Sequence, residues 1–238
     1  MKRKLCHPLI TCLCITNRRP RMVLKAIINF ENQDYPNKEL IVSYPEDDLE
    51  STELLNKIQT FTEENIITIS RAEELSLGAA RNEAVSHSNG QYICLWDDDD
   101  CYHPMRVKYQ FNNMQINGQY RDACMITNII LYDTDSDKSY IAFSNHWNGT
   151  LLCKTEHLRS VPFLDSNIYE ANNLIENLTN RKLLHRIADF PGLYTYINHG
   201  QNALLNQQSH KILENSQLLN QETSDWVSAN VNQQFEII

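Results

Sequence analysis

The chain has 238 residues, a formal charge of −9 and an apolar fraction of 42%. That is enough apolar surface to build a core and argues against disorder; the acid excess argues against a nucleic-acid coat, because duplex binders carry a basic face. The six glycines are too widely spaced for a dinucleotide-binding G-x-G-x-x-G, a hydrolase G-x-S-x-G or a P-loop.

Leu9–Thr16 is a short apolar run rich in β-branched residues and is expected to form a buried strand. The basic start Met1-Lys2-Arg3-Lys4 resembles a signal peptide only superficially. His7-Pro8 interrupts the apolar run, and Asn17-Arg18-Arg19 stands where small residues would mark cleavage. Arg21–Gln33 then has Met22, Val23, Ala26, Ile27 and Phe30 on one helical face, and Asp34-Tyr35-Pro36-Asn37 is a turn. Glu39–Tyr44 is expected as a second strand, Leu49–Phe61 as a second helix, Ile66–Ile69 as a third strand, Leu77–His87 as a third helix and Tyr92–Trp96 as a fourth strand. Strands and helices that alternate in this way, with continuously apolar strands, predict an α/β fold: a doubly wound, mostly parallel sheet flanked by helices, in a single domain. Ligands of such sheets bind beyond the carboxyl ends of the strands.

The second half is less regular. Met105–Asn117, Asn172–Asn180 and Asn202–Leu219 read as helices; Ala123–Tyr132, Tyr140–Phe143, Leu151–Cys153 and Tyr194–Asn198 read as strands. Residues from about 221 to 238 are polar and Asn/Gln-rich, and are expected to be a loosely ordered tail. Seven cysteines without a C-x-x-C pattern read as reduced thiols in an intracellular chain. No run of about 18 apolar residues exists, so no membrane span is expected.

The strongest chemical signal is Trp96-Asp97-Asp98-Asp99-Asp100. Adjacent carboxylates repel, so a cation or protons must neutralise some of them. In extended backbone, residues two apart project to one side, which would bring Asp97 and Asp99 together at the ligand edge of the sheet. Carboxylate oxygens suit Mg²⁺ or Mn²⁺, which typically use one or two carboxylates plus substrate phosphates. The simpler reading is an acidic loop leading into the helix after Pro104, where Pro and negative charge are both favoured.

The surrounding segments resemble the inverting family 2 glycosyltransferases of the GT-A fold. Thr16-Asn17-Arg18-Arg19-Pro20 is similar to the family's Thr-Tyr-Asn-Arg-Pro loop, and Gln33-Asp34-Tyr35-Pro36 to its Gln-x-Tyr-Pro turn. Leu77-Gly78-Ala79-Ala80-Arg81-Asn82-Glu83-Ala84 resembles its nucleotide-side helix. Gly90-Gln91-Tyr92-Ile93 leading to Asp97-Asp98-Asp99-Asp100, then His103-Pro104, resembles its Gly-x-Tyr-Ile…Asp-x-Asp-Asp and His-Pro. The resemblance is strong over about Leu9–Gln110 and weaker to about His199. It implies a nucleotide-binding half over about 8–103 and an acceptor half over about 104–220.

The resemblance implies a metal-dependent hexosyltransferase. It would move a sugar from a nucleotide diphosphate sugar, uridine by default, to a glycan or lipid-linked acceptor. Thr16, Arg19 and Arg81 would hold the nucleotide, with the fork of Arg suited to uracil or phosphate oxygens. Where the family has a base-reading Asp after the second strand, this chain has Tyr44, so either Tyr44 stacks on the base or Glu46 or Asp47 reaches back to it. Asp97 and Asp98 would contact ribose or sugar. Mn²⁺ or Mg²⁺ would be held by Asp99 with Asp97, and by His199, which resembles the family's late His. The family's Glu-Asp pair aligns with Glu170-Ala171, leaving Glu170, or Asp165 nearby, as the general base. The expected setting is assembly of a bacterial surface polysaccharide or lipid-linked glycan in the cytoplasm, at the inner face of the membrane if membrane contact occurs. Such contact would be peripheral, since Lys2-Arg3-Lys4 is a short basic signal. Leu204, Leu205, Ile212, Leu213, Leu218 and Leu219 suit packing on the core or on a second subunit.

Three other readings stay open. A sugar-1-phosphate nucleotidyltransferase should carry a Gly-rich loop after the first strand, and Thr16–Pro20 has none. An Asp-x-Asp phosphatase should carry its acids after the first strand, not the fourth. A decayed transferase that binds nucleotide sugar or a partner without turnover is motivated by Tyr44, Ala171 and the scarcity of glycine.

Overall fold

A computed structural model describes residues 7–61, 65–115, 121–200, 202 and 211–236. The main sheet has seven strands in the order β10 (Leu184–Ile187), β6 (Ala123–Ile126), β9 (Leu152–Lys154), β4 (Tyr92–Leu95), β1 (Ile10–Ile15), β2 (Lys38–Pro45), β3 (Ile66–Arg71). Its pairings are parallel except around β9, which runs antiparallel to both β4 and β6. The flanking helices are α1 (Pro20–Glu31), α2 (Leu49–Phe61), α3 (Leu77–Ser86), α4 (Arg106–Asn113), α5 (Thr155–Ser160) and α6 (Asn172–Asn180). The continuous apolar strands are continuous because both faces are covered: Ile10, Cys12 and Cys14 point into one apolar cluster, Leu13 into the other.

Local chemistry starts the helices where the sequence reading places them. Pro20 sits in the first turn of α1, and Val23, Ala26, Ile27 and Phe30 are its buried stripe. Asp48 accepts the Ser51 N–H at 3.1 Å and so starts α2. Ser76 caps α3 through the Ala79 N–H at 3.1 Å.

A second sheet of five strands has the order β12 (Gln217–Leu218), β8 (Lys138–Phe143), β7 (Asn128–Asp133), β11 (Tyr194–Asn198), β5 (Cys101–Tyr102). The run read as one strand over Ala123–Tyr132 is therefore two, β6 and β7, in different sheets. The break is Thr127, whose N–H and Oγ1 both donate to the Ile187 carbonyl, at 2.8 and 3.1 Å. Of the helix read at Asn202–Leu219, residues 203–210 lie outside the described residues, 211–214 are helical, and Gln217–Leu218 is strand rather than helix.

The end of the chain corrects the sequence reading. Gln221–Glu236 is a helix, α7, not a loose tail. Ser224, Val227 and Val231 recur on one face and are buried; the two valines pack with Tyr132, Ile197 and Cys101. Ser224, Val227 and Val231 suffice to seat an Asn/Gln-rich segment because the sheet supplies the rest of the apolar surface.

Six cysteines are described, and all six are buried thiols. No helix among the described residues is long and apolar enough to cross a membrane.

At the amino end of β6, Asp122 accepts Lys154 Nζ at 2.7 Å and His157 Nε2 at 3.0 Å. Burial pushes the Asp122 carboxyl up, but these two donors outweigh it and hold it below the ordinary 3.8. A depressed folded value means stability that is present above the unfolded value and lost as pH falls through the folded one. Asp122→Asn should therefore lower stability by about 0.5–1 kcal/mol at pH 7, the scale of a partly exposed ion pair. The difference from wild type should shrink in urea unfolding as pH falls through the depressed folded value and the wild-type carboxylate is itself protonated.

Candidate active site

Beyond the carboxyl ends of β1 and β4 lies a cavity of about 490 Å³. Arg19, Arg81, Asp97–Asp100, Trp147, Asn148, Gly149, Glu170 and Tyr196 are among the residues that line it. The aspartates are not extended. The chain turns at Asp98-Asp99, and the four carboxylates take different partners.

Asp97 is the most open of the four. Its Oδ1 accepts Arg81 Nη2 at 2.8 Å, and its side chain is 32% exposed. Asp98 is buried and accepts Thr16 Oγ1 at 2.6 Å and Arg19 Nη2 at 2.5 Å. Burial, then the charge of Asp99, pushes its carboxyl up to about 7 despite Arg19. Asp99 accepts Arg19 Nη1 at 3.0 Å and His199 Nε2 at 3.2 Å. Burial opposes its charge, but His199 and Arg19 win and hold it below the ordinary carboxylate value. Asp100 accepts the Tyr194 hydroxyl and the Ile197 N–H, the latter at 3.0 Å. Burial, then Asp99 and Asp97, pushes its carboxyl well up, and with both oxygens taken by donors of β11 it anchors that strand.

Arg81 is buried and pairs with both Glu170 and Asp97 in the cavity lining. Two local features aim Glu170 there. Tyr169 has φ +58°, an uncommon left-handed residue that turns the chain just before Glu170. Gly78 on α3 lets the preceding loop lie flat: a Cβ there would sit 1.7 Å from the Leu164 carbonyl oxygen. Glu170 receives Arg81 on Oε1; no hydrogen bond from the described residues reaches Oε2. Ala171 is fully buried in the apolar core, so an acid at that position would be desolvated.

Other residues named from the sequence fall elsewhere. Tyr44 is buried in the core cluster and does not line the cavity, which leaves its ring no face for stacking. Asp47 is exposed and pairs with Arg18, whose guanidinium also reaches Glu73 at 2.5 Å. Asp165 is exposed, accepts Ser76 Oγ at 2.5 Å beside the cap of α3, and does not line the cavity.

Sequence reasoning missed Arg106 and Gly149. Arg106 is a fully buried cation caged by the rings of Trp96, Tyr102 and Tyr194, at 5.1, 4.4 and 4.8 Å. It donates to the carbonyls of Leu95 at 2.9 Å and Gly149 at 2.8 Å. Gly149 is thereby pressed against Asp97: a Cβ there would lie 2.3 Å from Asp97 Oδ2 and 2.6 Å from the Tyr194 hydroxyl. The signal was present as Arg two residues after His-Pro and Gly ahead of a strand, but only the fold brings them together.

The donor set fits a hard divalent cation in part. Asp99 and His199 are in contact, whereas Asp97, Asp99 and His199 do not bring their ligand atoms within 4.8 Å of one another. Two protein ligands are enough when substrate oxygens complete the shell. A separate trio, Asp122, Glu156 and His157, has ligand spacing, but it lies at the opposite end of the sheet and Lys154 already neutralises it.

Residues 11–207 match the sequence profile of glycosyl transferase family 2, most of the chain. The chain belongs to that family. An uncharacterised glycosyltransferase of Methanocaldococcus jannaschii is 31% identical over 111 residues, 46% of this chain and 38% of the relative. The chain thus spans well under half the length of that relative. Among solved structures, Staphylococcus aureus TarS 1–349 in complex with UDP-GlcNAc superposes with a TM-score of 0.64 at 12% identity, covering 94% of this chain and 72% of TarS 1–349. A Pyrobaculum calidifontis mannosyltransferase in complex with GDP-Man and Mn²⁺ gives 0.63 at 14% identity, covering 87% and 60%. At such identities the two structures establish the shared fold, with its mixed, mostly parallel sheet.

Proposed function

We propose that this family 2 chain transfers a sugar, a hexose by our reading, from a nucleotide diphosphate sugar to an acceptor hydroxyl with inversion. The observation that carries the reading is the floor of the cavity. Arg19 and Arg81 both line it, and each has a buried Nε that makes no hydrogen bond. Buried, unsatisfied guanidinium N–H groups beside a carboxylate turn are what an incoming diphosphate would satisfy. The solved relatives with UDP-GlcNAc and with GDP-Man and Mn²⁺ support the donor class and leave the base open.

Asp99 and His199, with Asp97 if it leaves Arg81, would hold Mn²⁺ or Mg²⁺. When bound, such an ion neutralises the charge developing on the leaving diphosphate. Arg19 and Arg81 add fixed positive charge to the same oxygens. The acceptor oxygen attacks the anomeric carbon, the bond from that carbon to the diphosphate breaks, and the electron pair leaves with the diphosphate. Glu170 takes the acceptor proton on Oε2, while Arg81 fixes Oε1 and so the direction of the carboxylate.

Glu170→Gln should lower kcat by about 10²–10⁴-fold, the usual contribution of a general base. Binding of the nucleotide diphosphate with Mn²⁺ should stay within about twofold, since the amide oxygen can still accept from Arg81. Single-turnover transfer with a matched diphosphate titration checks this. An unchanged kcat would remove Glu170 from the chemistry. Tight diphosphate binding in wild type with no turnover of any donor would favour the non-catalytic reading motivated by Ala171.

A further inference from the structure

We infer that Arg106 is a positioning residue of the active site: the caged guanidinium fixes where Asp97 stands, and through Asp97 it orients Arg81; this deepens the proposed transfer and rests on it. Arg106 is fully buried. Its hydrogen bonds among the described residues go to the carbonyls of Leu95 and Gly149 and to Gln110 Oε1, none to a carboxylate, and its Nη1 has no hydrogen-bond partner. A buried cation that only carbonyls, an amide and ring faces compensate costs stability relative to an apolar side chain of the same shape. What the guanidinium adds is geometry, because its rigid planar fork fixes directions that no aliphatic side chain can.

Three arms run from Arg106 to Asp97. The first is the ring of Tyr102, 4.4 Å from the guanidinium, whose hydroxyl donates to the Asp97 carbonyl at 2.7 Å. The second is the ring of Tyr194, at 4.8 Å, whose hydroxyl donates to Asp100 and stands 3.5 Å from Asp97 Oδ2. The third is Gly149. Leu95 N–H donates to the Leu151 carbonyl at 2.9 Å. Next to that bond, Arg106 Nη2 stands between the Leu95 and Gly149 carbonyls, at 2.9 and 2.8 Å, and Gln110 Nε2 donates to the Thr150 carbonyl at 2.7 Å. Arg106 and Gln110, one turn apart on α4, thus hold Gly149 so close to Asp97 that a Cβ would not fit. Asp97 Oδ1 in turn accepts Arg81 Nη2 at 2.8 Å, while Arg81 Nη1 donates to Glu170. A shift of Asp97 therefore removes one of the two anchors of the guanidinium that fixes Glu170.

The test uses the intact chain and three variants. Arg106→Lys keeps the charge but cannot serve both carbonyls from one fixed plane. Tyr102→Phe keeps the ring over Arg106 and removes only the hydroxyl that holds Asp97. Leu55→Ala, in the buried face of α2, is the control for lost stability. NMR of the Arg81 guanidinium reads rotation about its Cζ–Nε bond with no substrate present. That rotation should be several times faster in Arg106→Lys and in Tyr102→Phe than in wild type, and unchanged in Leu55→Ala. Hydrolysis of UDP-glucose and GDP-mannose with Mn²⁺ supplies the kinetic readout: kcat should fall about 10²-fold in Arg106→Lys and about tenfold in Tyr102→Phe, with KM within about threefold, the pattern of lost positioning. If Arg106→Lys fails to fold, Tyr102→Phe against Leu55→Ala decides the matter. Unchanged rotation or unchanged kcat in Tyr102→Phe overturns the inference, and so does the same gain in rotation in Leu55→Ala. Failure of wild type to bind UDP or GDP would instead overturn the donor reading, while the NMR comparison would still report on Arg106.

Discussion

Asp99→Asn should abolish metal-dependent binding of a nucleotide diphosphate, weakening it by about 10²–10³-fold, the scale of several kcal/mol that a metal–ligand charge supplies. Asp99 Oδ2 is where two side chains meet, Arg19 Nη1 at 3.0 Å and His199 Nε2 at 3.2 Å. Asparagine keeps an oxygen for one of these donors but removes the negative charge that a divalent cation needs. The fold should survive, because Asp98 and Asp100, not Asp99, carry the contacts to Thr16, Tyr194 and Ile197 that tie the turn to β1 and β11. Calorimetric titration with and without Mn²⁺, beside a thermal melt, separates the two effects. Full Mn²⁺-dependent affinity in the mutant would place the metal elsewhere.

Gly149→Ala should lower kcat by about 10²-fold while moving the melting temperature by only a few degrees. The added methyl would meet Asp97 Oδ2 at 2.3 Å and the Tyr194 hydroxyl at 2.6 Å. The backbone at 149 cannot retreat freely, since its carbonyl is held by the caged Arg106 at 2.8 Å. Tyr194 is buried and held by Asp100, so the more exposed Asp97 must swing away. That breaks its 2.8 Å contact with Arg81 and displaces a group that lines the cavity. A displacement of about 1 Å costs on the order of 10²-fold when positioning carries the rate. The global fold loses little, because both clashing atoms are side-chain ends rather than backbone. Steady-state kinetics with a thermal melt reads both quantities, and wild-type kcat would mean that Asp97 does not position substrate.

How much of this was legible in the sequence follows from the range of the interactions. The first four strands and three helices were readable because hydrophobic periodicity and the turn residues act over a few positions. The aspartate cluster, Arg81 and His199 were grouped only through the order of several motif pieces, and the cluster was read as extended where the chain turns. Arg106, Gly149 and Trp147 were not, because their partners lie up to about a hundred residues away and no local pattern encodes a cage or a close approach. Tyr44 was assigned to the base from its place at a strand end, but the core claims its ring. Asp165 was assigned as a base for its nearness to Glu170, but it sits beside the cap of α3. The helix Gln221–Glu236 was hidden by composition: three buried positions among Asn and Gln do not register as an apolar stripe until the second sheet is there to meet them.

The most direct test of the donor site is thermal unfolding of the wild-type chain against UDP, GDP, CDP, ADP and dTDP, each with and without Mn²⁺. A ligand at about 100 times its dissociation constant adds about 2.7 kcal/mol, and for a domain of this size that is roughly 5–10 °C. A shift of that size with one or more diphosphates, dependent on Mn²⁺, is expected from Asp99, His199, Arg19 and Arg81 as placed here. No shift with any diphosphate, with or without Mn²⁺, would contradict a nucleotide-sugar site in this cavity.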